Sequence, residues 1–243
     1  MSRMGHMGLM RHMRLMGLMG HMRLMGPMGH MGLGGLMSLI FLMGSLGVRA
    51  EVPDTVFASL PIPDSIFQRM QGRSYKADCT VPREELRYLQ LSYRDGEGRT
   101  QQGEMVCNRA IAQDLVSIFR ELWKAKYRIE RMQLIDDYEA DDERSMEANN
   151  TSCFNFRTIA GTTIISKHGK GMAIDVNPLY NPYVRGSYVS PEGGRPWAYR
   201  RSRRKDIPYK IDRQDLCYRL FLQHGFRWGG AWPKYQDYQH FEK

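Results

Sequence analysis

The sequence predicts an α+β fold, because it mixes short strand-like segments with two clear amphipathic helices. Leu86–Tyr93 alternates between apolar and polar residues, and Thr100–Val106 can return beside it after a Gly-containing turn at residues 95–98. Apolar residues recur at helical spacing in residues 111–122 and again in residues 212–224. A chain of 243 residues with 42% hydrophobic content is sufficient for one domain of good size.

Residues 1–32 form a low-complexity repeat. Met recurs at every third position from Met1 to Met31, with Gly, Arg, Leu and His between. The glycine content opposes a stable helix. We interpret the repeat as disordered, or as translated from DNA upstream of the true start codon. Copper(I) binding by the thioethers is the alternative, since sulfur is a soft ligand.

Residues 33–50 have the pattern of a secretory signal peptide. The apolar run at 33–47 is too short to span a bilayer comfortably, and Val48 and Ala50 are small residues at positions −3 and −1. We therefore expect cleavage before Glu51 and export to the periplasm or the extracellular space, without stable membrane insertion afterwards. An uncleaved anchor is the alternative.

The formal charge of +9 overstates the basic character of the mature part. Five of the 35 Lys and Arg residues and none of the 26 acidic ones lie in residues 1–50, which leaves 30 basic and 26 acidic residues. This mild excess does not indicate a nucleic-acid partner. The one basic run, Arg195–Lys205, either steers the chain to an anionic polymer such as the cell wall or forms a solvated loop.

We expect the mature protein to be a monomer.

The four cysteines all lie in the mature part, and their even number fits an exported protein. Three pairings are possible. We favour Cys79–Cys107 with Cys153–Cys217, and four buried free thiols are the alternative.

Residues 51–64 contain three prolines and are predicted to form a linker or arm before a single domain at residues 65–243. The domain opens with a short helix after Asp64. Residues 127–135 are strand-like. The acidic run at 136–143 is interpreted as a solvated loop; a calcium site is the weaker alternative, since EF-hand spacing is absent.

The candidate chemistry lies in two separated stretches. One offers His168 and Asp175, and the other, at the C-terminal end, offers Asp237 and His240. A lone His is more often structural, but only three of the seven His lie outside the N-terminal repeat, and two of them are these. Two imidazoles and one carboxylate leave a fourth tetrahedral position open for water, as in catalytic zinc sites. We predict one Zn²⁺ per chain, held by His168, Asp175 and His240, with Asp237 taking the proton from the water.

The local pattern supports this set. Met172–Val176 alternates as a short strand would, which places Asp175 and Asn177 on the face opposite the apolar one. A turn or bulge is expected before a last strand that carries His240 and Glu242 on the same side.

The pattern Ser-x-His-(x)6-Asp, followed far downstream by Asp-x-x-His, resembles the zinc peptidase family of D-alanyl-D-alanine carboxypeptidases and L-alanyl-D-glutamate endopeptidases. Three further runs resemble the endopeptidase branch of that family: residues 149–157, 175–183 and 225–232. The resemblance covers roughly residues 65–243 and is densest from residue 130 onward.

The resemblance implies a Hedgehog/D-Ala-D-Ala-peptidase-like fold, with a small, mainly antiparallel sheet that carries the zinc site on one face and helices on the other. It implies hydrolysis of a peptide bond in peptidoglycan stem peptides, as a D,D-carboxypeptidase or an L-Ala-D-Glu endopeptidase, with peptidoglycan or muropeptides as the partner. The alternative is a non-catalytic binding module on the same scaffold. Retention of the ligands and of Asp237 favours the enzyme.

The resemblance also implies further site residues. Arg157 matches the family arginine that faces the scissile carbonyl and would stabilise the oxyanion. Ser166, Asn177 and Glu242 are candidates for contacts with substrate or with the ligands. Trp232 either forms a wall of the substrate cleft or fills the core.

Overall fold

The computed structural model describes residues 55–243, which fold into short helices and small antiparallel sheets. The helices are α1 (Asp64–Met70), α2 (Arg109–Lys124), α3 (Asp142–Glu147), α4 (Arg195–Ala198) and α5 (Leu216–Gln223). The strands are β1 (Phe57–Leu60), β2 (Leu86–Arg94), β3 (Thr100–Asn108), β4 (Ala173–Asp175), β5 (Tyr183–Arg185), β6 (Tyr188–Ser190), β7 (Arg227–Trp228), β8 (Gln236–Asp237) and β9 (His240–Glu242).

The strands form three sheets, each of three strands. We call them the hairpin sheet (β1-β2-β3), the site sheet (β4-β9-β7) and the third sheet (β6-β5-β8), and every pairing in them is antiparallel. The α+β class is confirmed. The expectation of one small sheet is wrong, because the strands of the site sheet and third sheet are only two or three residues long and are separated by turns.

The hairpin sheet is covered on both faces. Leu89 and Leu91 are fully buried in a cluster with the apolar stripe of α2. Leu86 and Tyr88 point to the opposite face, where they pack in a second cluster with residues of α1. The helices therefore do not all lie on one side of this sheet, which corrects the predicted arrangement.

Helix α2 begins after Asn108, whose side-chain oxygen accepts a hydrogen bond from the Ala110 N–H at 3.0 Å. Its buried residues recur at helical spacing: Ile111, Ala112, Leu115, Val116, Ile118, Phe119 and Leu122. The predicted core stripe is confirmed. Helix α5 packs against α2 through Phe221, whose ring lies 6.5 Å from that of Phe119.

Several local predictions differ from the structure. Phe57–Leu60 pairs with β2, so this part of the predicted arm at 51–64 belongs to the folded domain. Residues 127–135 make only isolated bridges to Arg94 and Asn150 and form no strand. Helix α5 begins at Leu216 rather than near Asp212, because the Asp215 carboxylate caps it.

The charged runs are less solvated than predicted. In the acidic run, Asp136 is buried and accepts a hydrogen bond from the Ser74 N–H, and Asp137 pairs with Arg69. In the basic run, Arg201 is buried and donates to the Tyr180 and Ile211 carbonyls. These side chains hold loops together, because a buried charge is stable only when it is paired or hydrogen-bonded.

All four cysteines are free thiols, so the favoured disulfide pairing is wrong. Cys107, Cys153 and Cys217 are buried and pack as small apolar residues in the main core.

The predictions for residues 1–32 and 33–50 lie outside the described residues. Within residues 55–243, every helix falls short of the length and apolarity that crossing a membrane requires.

Candidate metal centre

Asp175 and His240 are directly opposite each other in the site sheet. Strand β4 pairs with β9 in the register Ala173↔Glu242, Ile174↔Phe241 and Asp175↔His240. Opposite residues of an antiparallel pair share a face, so Ile174 and Phe241 enter the core together, and both are fully buried. The other face carries Asp175, His240 and Glu242, which confirms the predicted side for these three residues.

His168 comes from a tight 3₁₀ turn, His168–Lys170, that precedes β4. Ser166 holds this turn, since its hydroxyl accepts a hydrogen bond from the Gly169 N–H at 2.9 Å. Gly171 ends the turn with a φ of +66°, and a Cβ there would lie 2.6 Å from the Asn108 nitrogen. Only glycine fits both the backbone angle and the close approach. The turn is thereby fixed against the start of α2.

The three predicted ligands converge. His168 Nε2 lies 3.3 Å from Asp175 Oδ2, and His240 Nδ1 lies 3.1 Å from Asp175 Oδ1. The two ring nitrogens are 3.1 Å apart. The ligand atoms of this group all lie within 4.8 Å of one another, which is close enough for all three to bind one metal ion.

The outer nitrogen of each imidazole has its own partner. His168 Nδ1 lies 2.7 Å from the carbonyl oxygen of Cys153, and His240 Nε2 lies 3.4 Å from a Glu242 carboxylate oxygen. A carbonyl or carboxylate on the far nitrogen fixes the ring and the tautomer that leaves the other nitrogen free to bind metal. His168 therefore presents Nε2, and His240 presents Nδ1.

Asp175 and His240 shift each other's pKa values. Although burial opposes ionisation of Asp175, the adjacent His168 and His240 hold its pKa well below the usual range. Burial likewise opposes protonation of His240, but hydrogen bonds to Asp175 and Glu242 raise the pKa of this imidazole to about 10. A proton and a metal ion would compete for the same His240 nitrogen, Nδ1. The neighbouring carboxylates that favour the proton would also favour a metal cation.

Asp237 lies beside the three ligands. It is the last residue of β8, and a Cβ at Gly229 would lie 2.8 Å from the Asp237 Cβ and 3.2 Å from the His240 Cβ. Gly229 thus allows these two side chains to approach each other. Burial raises the pKa of Asp237 to about 6; His240 opposes this rise and Asp175 adds to it. The Asp237 Oδ1 atom is buried and accepts no hydrogen bond from the residues described.

Arg157 lies next to the turn that carries His168. Its carbonyl accepts the Ser166 N–H at 3.0 Å, and its guanidinium pairs with Asp142 at the start of α3. Asp142 also accepts a hydrogen bond from Asn155, whose own N–H donates to the His168 carbonyl. The segment before Arg157 therefore supports both the guanidinium and the His168 turn.

The remaining predicted residues divide into two groups. Trp232 is half-buried, and its ring lies 5.3 Å from that of His240, so it lies beside the candidate site. Asn177 is fully buried, with a φ of +46°, and its side chain bonds the backbone of Arg128 and Glu130. The side chain of Asn177 therefore fixes a loop behind the strand.

Two contributors were missed from the sequence. The Cys153 carbonyl is a backbone atom, and no residue pattern identifies it. Gly229 is the first residue of a Gly-Gly pair, and the sequence alone does not show which side chains approach it.

Residues 160–243 match the family model described as D-alanyl-D-alanine carboxypeptidase. No curated protein and no solved structure gave a significant match to the chain. The Hedgehog-like or peptidase-like fold therefore remains a prediction. The three predicted ligands and Asp237 all lie in the matched segment, and the resemblance of this C-terminal part of the chain to the D-alanyl-D-alanine carboxypeptidase family is confirmed.

Proposed function

We propose that this protein is a zinc-dependent peptidase that hydrolyses a peptide bond in peptidoglycan stem peptides. The observation that carries the proposal is the convergence of His168, Asp175 and His240 inside the segment that matches a carboxypeptidase family. Two imidazoles and one carboxylate are a donor set of catalytic zinc sites, and both outer imidazole nitrogens are already engaged. A zinc ion bound there supplies a Lewis acid that polarises the scissile carbonyl and acidifies water.

Asp237 acts as the general base and then as the general acid. Its buried, unpaired oxygen and its pKa of about 6, raised by burial, suit a group that gains and loses a proton near neutral pH. It takes a proton from the attacking water and delivers that proton to the leaving amine.

Arg157 stabilises the oxyanion that forms as the carbonyl is attacked. The pairing with Asp142 holds its guanidinium in one orientation before substrate arrives, and a preorganised cation costs no reorganisation during the reaction. Trp232 covers one side of the site beside His240 and limits the access of bulk water.

Two bonds are candidates for cleavage. Removal of the terminal D-Ala would make the protein a D,D-carboxypeptidase, and cleavage after L-Ala would make it an L-Ala-D-Glu endopeptidase. The matched family model carries the first description, and the sequence motifs resemble the second branch. We further propose that the protein acts as an exported monomer with one zinc ion per chain.

The test is a digest of purified muropeptides, with the products identified by mass. We expect the zinc-loaded protein to cleave, a chelator to abolish cleavage, and added zinc to restore it. Asp237→Ala is expected to retain zinc but to lose about 10²–10⁴-fold in rate. Asp206→Ala is the matched control, because this exposed carboxylate pairs with Arg204 in a surface loop.

The products identify the bond. Loss of one alanine from pentapeptides identifies the carboxypeptidase, and release of the stem after L-Ala identifies the endopeptidase. Absence of cleavage by a folded, zinc-loaded protein would refute the peptidase and favour a binding module.

A further inference from the structure

A continuous series of aromatic rings leads from the metal centre to the surface. Starting at His240, the successive ring centroids are 5.3 Å apart to Trp232, 5.3 Å to Tyr235, 5.4 Å to Tyr183 and 6.0 Å to Tyr188. None of these contacts is a parallel stack, so no ring face is fully covered by the neighbouring ring. We call Trp232, Tyr235, Tyr183 and Tyr188 the aromatic track.

The track shares a sheet face with Asp237. In the third sheet, Tyr183 is directly opposite Asp237, and Tyr188 is directly opposite Arg185 on the neighbouring strand. Opposite residues lie on one face, and so do residues two apart in a strand, so Tyr183, Tyr188 and Asp237 all point to the same side. A substrate bound along this face would extend to Asp237, which we propose as the general base.

Exposure increases along the track. Trp232, Tyr235 and Tyr183 are half-buried, whereas 60% of Tyr188 is exposed. A single exposed tyrosine needs no explanation. A connected series that ends beside a buried polar centre has the composition expected of a ligand cleft, in which aromatic walls accompany a few polar groups.

We propose that the aromatic track binds the glycan strand of peptidoglycan while the stem peptide enters the metal centre. A pyranose ring has an apolar C–H face and a rim of hydroxyl groups. Tyrosine complements both, because its ring is apolar and its hydroxyl donates and accepts hydrogen bonds. An extended peptide that adds to the sheet would instead use free backbone groups at a strand edge, whereas the track lies on a sheet face.

This inference rests on the proposed function for the identity of the polymer, but its test does not depend on hydrolysis. The probes are soluble glycan strands freed of stem peptides by an amidase, and separately the free stem peptides. Binding to the purified protein is measured by quenching of tryptophan fluorescence and by calorimetry.

The test variant is Tyr188→Ala, since removal of an exposed ring leaves the core intact. Its matched control is Tyr199→Ala, because Tyr199 is 63% exposed and lies outside the track. We expect Tyr188→Ala to weaken glycan binding at least fivefold, Tyr188→Phe to retain most of it, and Tyr199→Ala to leave it unchanged. Binding of the free stem peptide should be the same in all four proteins.

Other outcomes overturn the inference. Wild-type protein that does not bind glycan strands refutes it, as does equal glycan binding by wild type and Tyr188→Ala. A loss of stem-peptide binding alone in Tyr188→Ala would make the track a peptide subsite. Hydrolysis of free stem peptides without glycan binding would refute the glycan-binding role of the track but not the peptidase. Glycan binding without hydrolysis would refute the peptidase but not the glycan-binding role.

Discussion

The hairpin sheet and the site sheet use the same antiparallel pairing, but they differ in what their faces carry. Strands β2 and β3 of the hairpin sheet are nine residues long, and apolar clusters cover both faces. The strands of the site sheet have two or three residues, and only one face is apolar. Its other face carries His240, which is buried, and Asp175 and Glu242, which are partly buried.

The difference indicates that the hairpin sheet contributes mainly apolar packing, whereas the site sheet joins the same core with one face and carries the candidate chemistry on the other. Three-residue strands cannot fix side chains to within a fraction of an ångström by pairing alone. Contacts from outside the sheet do this instead: the Cys153 carbonyl holds His168, and Gly229 lets Asp237 approach His240. The site is therefore expected to respond to changes that leave the folded domain intact, and the converse should hold for the hairpin sheet.

The largest effect is expected from Asp175→Ala. This change removes one ligand and leaves His168 and His240 facing each other without the carboxylate that pairs with both. Since loss of a supporting group alone costs 10–100-fold in metal affinity, loss of a ligand should cost more than about 100-fold. The zinc content measured after dialysis should be one ion per chain in the wild type and none in Asp175→Ala.

The hairpin sheet provides the converse test. Leu91 is fully buried in the cluster shared with α2, so Leu91→Ala should lower the free energy of unfolding by about 2–5 kcal/mol. Urea denaturation of the metal-free protein measures the loss. Zinc affinity of the folded fraction should stay within about twofold of wild type. A parallel loss of zinc affinity would show that the two sheets are not separable.

The same division explains which features the sequence predicted. The long elements are predicted closely: β2 and α2 show apolar alternation or helical spacing, and β3 follows as the return strand after the turn at residues 95–98. The sequence also predicts the group of His168, Asp175 and His240 that converges in the structure, because few His residues lie outside the N-terminal repeat. Short elements such as β7 and β8 have no period to detect, and their positions depend on contacts made elsewhere in the chain.

Two errors have the same physical origin. Asn177 was placed beside Asp175 on the assumption that the strand continues, but the chain turns at a φ of +46° and the side chain bonds residues 128 and 130 instead. Residues 127–135 alternate like a strand but lie where only isolated bridges form. A local sequence pattern indicates which secondary structure a segment can adopt, and tertiary contacts decide which one it adopts.

A smaller effect is expected when a supporting contact is changed and the ligands are kept. Glu242 lies 3.4 Å from His240 Nε2 through one oxygen and 2.7 Å from Arg227 through the other. Glu242→Gln should lower zinc affinity about 10–100-fold, because it removes the charge that supports the ring. Competition with a chromogenic chelator measures the change.

The matched control for Glu242 is Arg227→Met. The Arg227 side chain is 72% exposed, and an exposed ion pair contributes little. Its removal should leave zinc affinity nearly unchanged. Equal losses in the two variants would mean that the ion pair, rather than the contact with the imidazole, supports the site.

The smallest effect concerns Asp215, a partly buried carboxyl outside the site. Asp175 lies between two imidazoles that lower its pKa, whereas Asp215 caps α5, where burial raises its pKa to about 6 despite hydrogen bonds from Tyr127 and the Cys217 N–H. Between the unfolded pKa near 4 and about 6, the folded protein binds more protons than the unfolded chain. The contribution of Asp215 to the free energy of unfolding therefore falls by about 2 kcal/mol as pH rises through that range.

The measurement is urea denaturation of wild type and Asp215→Asn at several values between pH 3.5 and 7. The amide cannot ionise but can still accept the capping hydrogen bonds, so the variant should lack this part of the pH dependence. The stability of wild type relative to the variant should fall by about 2 kcal/mol between pH 4 and 6 and then stay level. A difference that rises with pH would mean that Asp215, like Asp175, is stabilised as an anion. The contrast between Asp175, whose pKa is lowered by its imidazole neighbours, and Asp215, whose pKa is raised by burial, would then be wrong.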